Sequence, residues 1–336
     1  MAIYLDNAAT TPMEPEVLEA MIPMMREHYG NPSSIHALGR KTRTAIENAR
    51  KSIAKLINAS PGEIFFTSGG TEADNMAIVK TIEEFGIKHA ITSKIEHHAV
   101  LHTLEELEKS GAIKLSFVEL DKDGMVDFHH LEKLLSSNER TLVSLMHANN
   151  EIGNLLPLAQ VGEICEKYNA ILHSDTVQTM GHYVHDVKAL KAHFLVGAGH
   201  KFHGPKGVGF VYISSDIKIH PLIHGGSQER NMRGGTENVY GIIGLAKALE
   251  IAYQDMHEHQ NHVQSLKTYM IEELKKNIVG TEFNGTAEIP EKSLYTVLNV
   301  RFPQTPNAEM LLFNLDIAGI CVSAGSACTS GSNQGS

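Results

Sequence analysis

The chain has no apolar run approaching the roughly 20 residues that a membrane-spanning helix needs. Its start, Met-Ala-Ile-Tyr-Leu-Asp, has neither a basic stretch nor a long apolar one. The first absence argues against a helical membrane protein. The second argues against a secretory leader, so the expected location is the cytoplasm. Cysteine is scarce: Cys165, Cys321 and Cys328 are the only three in 336 residues, an odd set that suits a reducing compartment better than a disulfide framework. Twenty histidines include no HExxH motif, and no paired CxxC occurs, which removes the usual zinc signatures. The run His257-Glu-His-Gln-Asn-His262 lacks the i, i+4 histidine pair of a helical metal site and reads as a solvated helix face. No metal site is therefore expected from the protein alone. The formal net charge of -10 disfavours nucleic-acid and anionic-membrane partners, while a local basic pocket stays open.

What the chain does have is alternation. Helices are predicted over 38–58, where Ala45, Ile46, Ala49, Ile53 and Ile57 share a face, and over 71–85, 98–109, 128–135 and 158–168. Strands are predicted at 64–67, 90–93, 115–120, 142–146, 171–173, 194–196 and 208–213, the last placed as an antiparallel edge. Strands alternating with helices give βαβ units, hence an α/β fold with a mostly parallel central sheet and helices on both faces. Ligands of such sheets sit at the carboxyl ends of the strands. A long helical pattern from 239 to about 278 leads into a smaller α+β part, with a strand at 296–300, a helix at 307–315 and a Gly/Ser-rich tail expected to be mobile.

The residues with chemistry cluster at those strand ends. Lys201 enters a Gly-rich loop after one apolar strand, and Asp175 follows another. A lysine there can form a Schiff base and an acid can hold a pyridinium nitrogen protonated, the protein half of a pyridoxal 5'-phosphate site. Ordinary strand-end charges are the alternative. Ser68-Gly-Gly-Thr71, at a strand-to-helix junction, is a seat for a phosphate, or a plain cap in which Asp74 completes a capping box with Thr71. His97 reads as a ring-stacking imidazole or a solvated loop residue. Asn150 lies in Asn149-Asn-Glu-Ile-Gly153, which is either a cofactor contact or a turn, and Gln178 is placed to bond a ring hydroxyl. Arg233 and Thr236 belong to a Gly-rich loop that serves a phosphate or is a surface turn. Cys328, on a Ser/Gly segment, has the setting of an accessible nucleophile. Cys165 and Cys321 lie in apolar patterns and read as inert core residues.

Assembled in order and spacing, these segments resemble the NifS/IscS-type cysteine desulfurases of the class V aminotransferase family, which are fold-type I pyridoxal-phosphate enzymes. The match runs through Tyr4-Leu-Asp-Asn-Ala-Ala-Thr-Thr11, Asn31-Pro-Ser-Ser34, Ser68-Gly-Gly-Thr-Glu-Ala-Asp-Asn75, Asn149 to Gly153, His200-Lys201, Arg233-Gly-Gly-Thr236 and Gly325-Ser-Ala-Cys328. The resemblance implies a large cofactor-binding domain over 15–255 and a small domain over 1–14 and 256–336. It implies that Lys201 anchors the cofactor and shuttles a proton, that Asp175 pairs with the pyridine nitrogen and that His97 stacks on the ring. Gly70, Thr71 and His200 would hold the phosphate, with Thr236 given by the other subunit of a homodimer, and Gln178 and Asn150 would lie near the cofactor hydroxyl and the substrate. Cys328 would take sulfur from L-cysteine, leaving L-alanine and a persulfide for a sulfur acceptor such as an iron-sulfur scaffold. Whether Cys328 also ligates an iron-sulfur cluster stays open, as do a selenocysteine lyase and a shortened form that binds the cofactor with little turnover. Two departures from the family are visible. Ala198 stands where a phosphate-binding serine is frequent, and no arginine after Cys328 is present to hold the substrate carboxylate, so the small domain is expected to lack its last part.

Overall fold

The protein is described by a computed structural model covering residues 2–136, 140–304 and 310–325. In chain order its elements are β1 (Ile3–Tyr4), α1 (Pro15–Arg26), α2 (Ala37–Leu56), β2 (Ile64–Thr67), α3 (Gly70–Phe85), β3 (His89–Thr92), α4 (His98–Lys109) and β4 (Lys114–Phe117). Next come α5 (Phe128–Leu135), β5 (Thr141–Ser144), α6 (Leu158–Lys167), β6 (Ile171–Asp175), α7 (Val187–Leu190), β7 (Phe194–Ala198) and β8 (Gly209–Ile213). The chain continues through α8 (Val239–Gln254), α9 (Met256–Asn277), β9 (Glu282–Phe283), β10 (Val300–Arg301), α10 (Leu311–Ile317) and β11 (Ile320–Cys321).

Seven strands form the central sheet in the order β2-β8-β7-β6-β5-β3-β4. Strands β3 to β7 are parallel, and β8 runs antiparallel to β7 on one side and β2 on the other. Strand β8 is thus antiparallel as expected but not an edge. Its Phe210 and Tyr212 share a buried face with Ile64 and Phe66 of β2, so burying that face requires β2 outside it.

Alternate residues divide between two cores, as the two-residue repeat of a strand requires. Leu142, Ile171, Phe194 and Val196 pack with Ala73, Ala77, Val100 and Leu104 of α3 and α4. Val143, Leu172 and Leu195 pack on the other side with Ile46 and Ile53 of α2, Val161 of α6 and Leu245 of α8. This parity has a functional consequence. Ile171, His173 and Asp175 are two apart along β6, so both polar side chains are carried toward the α3 face.

The long helix predicted over 239–278 is two helices. Asp255 leaves helical geometry (φ -102, ψ 6) and serves both as the end of α8 and the start of α9, consistent with the preference of Asp for helix ends. The strand expected over 296–300 is confined to Val300–Arg301, paired with β9. Strand β1 pairs in parallel with β11, joining the two ends of the described chain. Cys165 is buried, as expected, and burial pushes its thiol up to about 12. Cys321, also expected in the core, is only half-buried, because its strand has a single partner. Among the described residues, no helix is long and apolar enough to cross a membrane, and no group of three His, Cys, Asp or Glu side chains is disposed to hold a metal.

Candidate functional site

The carboxyl ends of the parallel strands gather the predicted residues. Asp175 is the last residue of β6. Strand β7 passes into a 3-10 turn, Gly199–Lys201, that presents His200 and Lys201. The turn after β3 leads to His97, and the segment after β5 leads to Asn149 and Asn150, both buried.

Lys201 is buried with its amine held by the N-terminal segment. Its Nζ donates to the carbonyl of Ala8 and, at 2.9 Å, to that of Ala9, and Gln178 Nε2 donates to the same Ala8 carbonyl at 3.1 Å. The segment is fixed in turn by Thr11, whose N–H and Oγ1 donate to the His200 carbonyl at 2.9 and 3.0 Å, while His203 N donates to Thr11 Oγ1 at 2.8 Å. Residues 8–11 therefore strap the lysine turn.

At the phosphate seat the capping-box alternative fails. The residue before α3 is Gly69 (φ 155), with no side chain capping the helix, and Asp74 is buried against β6 instead. Space for a Cβ on Gly69 is open, but one on Gly70 would sit 2.8 Å from Val177 Cγ2, so Gly70 is needed for close packing there. The first turn of this 16-residue helix thus offers its N–H groups to an anion. Thr71 and Thr236 are both exposed. Arg233 pairs with Glu72 of the first turn at 2.9 and 3.2 Å. Burial raises Glu72, yet hydrogen bonds from Arg233 and Ser68 outweigh it and hold the carboxyl below its usual range. Burial, then Lys201 and Lys206, pushes His200 down to about 4, so it is a neutral hydrogen-bonding imidazole near Thr10 Oγ1 at 3.2 Å.

Two groups of opposite tendency face each other in the centre. Burial raises the Asp175 carboxyl, against which His97, the Val177 N–H (2.9 Å) and Lys201 favour its charged form. Burial lowers His97, with Asp175 opposing. His97 Nδ1 accepts the Ala99 N–H at 3.1 Å, capping α4, which fixes the ring and assigns the proton of the neutral imidazole to Nε2. Asn149 holds the neighbouring turn by accepting from the N–H groups of Glu151 and Ile152 at 2.9 and 2.8 Å. Its Nδ2 donates at 2.7 Å to the carbonyl of Ile95, two residues before His97.

Asp175, Lys201, His97 and the open start of α3 fit pyridoxal phosphate in kind: an amine for its carbonyl, a buried carboxylate for its ring nitrogen, an imidazole for its ring face and a helix N-terminus for its phosphate. Ala198, whose Cβ lies 3.8 Å from the Cβ position of Gly70, faces that helix start. Cys328 lies outside the described residues. Sequence reasoning missed the strapping role of residues 8–11 and the buried acids Asp74 and Glu96. The parity of β6 was the one sequence signal for a polar partner such as Asp74, which faces His173 with Oδ1 3.2 Å from Nε2.

The family model for class-V aminotransferases matches residues 3–335. The cysteine desulfurase IscS of Dictyoglomus turgidum is 48% identical over 98% of this chain and 83% of its own length. A solved NifS-like protein superposes with a TM-score of 0.92 at 40% identity, covering 98% of this chain and 89% of that one. The structure of SspA in complex with cysteine gives a TM-score of 0.84 at 32% identity, covering 98% and 91%.

Proposed function

This chain belongs to the class-V aminotransferase family, among its pyridoxal-phosphate-dependent cysteine desulfurases, and from that premise we propose how its residues remove sulfur from L-cysteine. The carrying observation is the pairing of a strapped, buried Lys201 with a buried Asp175 at the carboxyl ends of adjacent strands, His97 acting electrostatically on the acid.

Pyridoxal phosphate, when bound, supplies the electron sink that stabilises charge developing on the substrate carbons. Lys201 anchors it through Nζ and, once released, moves a proton at the substrate Cα. Asp175 holds the ring nitrogen, and His97, fixed by its bond from Ala99, covers the ring. Gly70, Thr71 and His200 bind the phosphate, with Thr236 supplied from the second copy of a homodimer. Gln178 and Asn150 sit by the cofactor hydroxyl and the substrate. Cys328 thiolate forms a bond to the substrate sulfur as the Cβ–S bond breaks. The electron pair stays on Cβ, which takes up a proton to become the methyl of L-alanine, and Cys328 carries the persulfide. The balance is L-cysteine plus thiol to L-alanine plus persulfide, with no external oxidant. The persulfide passes to an acceptor such as an iron-sulfur scaffold in the cytoplasm. Residues 1–14 and 256–336 act as the smaller domain in this reading, supported by the β1–β11 pairing.

Purified protein loaded with the cofactor is expected to release L-alanine from L-cysteine, and sulfide in the presence of a thiol reductant. Lys201→Ala loses the bound chromophore, whereas Cys328→Ser keeps it and loses turnover. A Lys201→Ala protein with an unchanged absorption band would contradict the anchor, and preference for selenocysteine over cysteine would favour a lyase instead.

A further inference from the structure

Three buried carboxyl groups lie together behind the site: Asp74 on α3, Glu96 in the turn before His97, and Asp175 on β6. Asp175 bears electrostatically on both of the others, and Glu96 bears on Asp74. Three anions cannot share such a place, and the surroundings sort them. Asp175 has His97 and Lys201 facing it. Asp74 faces His173, whose Nδ1 meets Ser144 Oγ at 2.8 Å and which burial pushes down to about 3, so that imidazole is neutral.

Glu96 has a different setting. Its Oε1 accepts from Ser93 Oγ at 2.8 Å and from the Met146 N–H at 3.0 Å. Its Oε2 is buried without a partner. With Ser93, Met146, Asn149 and Asn154, Glu96 lines a cavity of about 20 Å³, room for one water. The charged group bearing on it is Asp175, of like sign, and Lys94 in the same turn lies over the Phe117 ring at 6.0 Å. A buried carboxylate with one oxygen unpaired is costly, whereas a carboxylic acid sheds the charge and needs only an acceptor for its proton, and the cavity has room for a water to be that acceptor.

We propose that Glu96 is a positioning residue that works as a protonated carboxyl: Oε1 fastens the turn carrying His97 to Met146 after β5, and the retained proton spares Asp175 a like charge beside it. The inference rests on the cofactor reading of the site. Burial is the main cause pushing Glu96 up to about 8, and Asp175 adds to it. A group raised this way favours the folded state fully below its unfolded value, and that contribution is lost as pH rises through about 8.

The test compares wild type, Glu96→Gln and Glu96→Ala, each loaded with pyridoxal phosphate. Glu96→Gln keeps the shape, the neutrality and the Oε1 acceptor. Near neutral pH it is expected to show the wild-type absorption titration and the wild-type rate of cofactor loss. As pH rises from the ordinary carboxylate range to about 8 its thermal midpoint should gain steadily on that of the wild type, with the margin levelling off above about 8, because over that window only the folded wild type still holds the proton. Glu96→Ala leaves the Met146 N–H and Ser93 hydroxyl without their acceptor and should release cofactor about tenfold faster, with Glu96→Gln restoring retention. The proposal is overturned if Glu96→Gln shifts the neutral absorption titration as removal of an anion does, if the midpoints do not diverge as pH rises toward about 8, or if Glu96→Ala retains cofactor like the wild type. Should Glu96→Ala not fold, the isosteric pair still decides. A wild type that binds no cofactor would count against the functional reading, while the midpoint comparison still reads the charge of Glu96.

Discussion

Arg50 and Glu229 meet in a two-pronged ion pair, Nη1 to Oε2 at 2.7 Å and Nη2 to Oε1 at 2.8 Å, across 179 residues of chain. Their side chains are 2% and 3% exposed. Glu229 Oε2 also accepts the Phe66 N–H at 2.8 Å, and the Arg50 guanidinium lies 4.6 Å from the centre of the Phe66 ring. The pair pins a short turn in which Glu229, Arg230 and Asn231 all take left-handed backbone (φ 44, 56 and 67) to the edge strand β2. That turn leads directly to Arg233 and Thr236. Removing one partner, as in Glu229→Ala, leaves the buried Arg50 guanidinium with Glu47, at 3.1 Å on its Nε, as its remaining ion pair, and should cost about 3 kcal/mol of stability. The urea midpoint measures it, and a double change of both residues to apolar ones should cost less than the two single changes added together.

Gly70 carries a packing prediction. Gly70→Ala places its methyl 2.8 Å from Val177 Cγ2, and overpacking of this kind costs about 1–3 kcal/mol. The helix start must shift, so cofactor affinity falls. Val177→Ala in the same protein should recover most of it. Equal affinity in all three proteins would mean that the start of α3 does not hold the phosphate.

Ala198 carries the opposite sign. A hydroxyl at this position faces the start of α3, so Ala198→Ser should slow cofactor loss by several-fold, equivalent to the roughly 1 kcal/mol of one added hydrogen bond. Dialysis followed by absorbance reads the rate. An unchanged or faster loss would remove position 198 from the phosphate site.

Much of this architecture was legible in the chain, and the exceptions have physical causes. Short apolar runs alternating with helical patterns marked the strands, and the boundaries of α5, 128–135, were read as they are. Asp175 and Lys201 were legible because charge at the end of an apolar strand is conspicuous. Asp74 was misread because Asp three residues after Thr is a sound local cap, and only its burial against His173 removes that reading. Glu96 has one local partner, Ser93, but its burial comes from Met146 after β5 and Asp175 on β6, which the fold brings to it. Arg50 and Glu229 are likewise united by the fold and not by spacing. The break at Asp255 was hidden because helical patterning continues on both sides of it.

Buried histidines set the acid limit of stability. Burial pushes His182 and His185 down to about 4 and His173 to about 3. Each folded value is depressed below the unfolded one near 6.5, so the contribution is full above about pH 6.5 and is lost as pH falls toward 4. Each such histidine adds a slope of up to about 1.4 kcal/mol per pH unit in that window. Stability measured by denaturant at successive pH values should fall steeply there. His185→Gln should flatten the slope by about one proton, and an unaltered slope would show that His185 is not buried neutral.

Whether Lys201 and Cys328 are the two halves of one sulfur transfer, as proposed above, is read from the mass of the Cys328 peptide after a single turnover with L-cysteine. Cys328 should gain one sulfur atom, removed by a thiol reductant and absent in Lys201→Ala, with Cys165 unmodified because its thiol is buried and pushed up to about 12. Sulfur found on another cysteine, or on Cys328 in the Lys201→Ala protein, would contradict it.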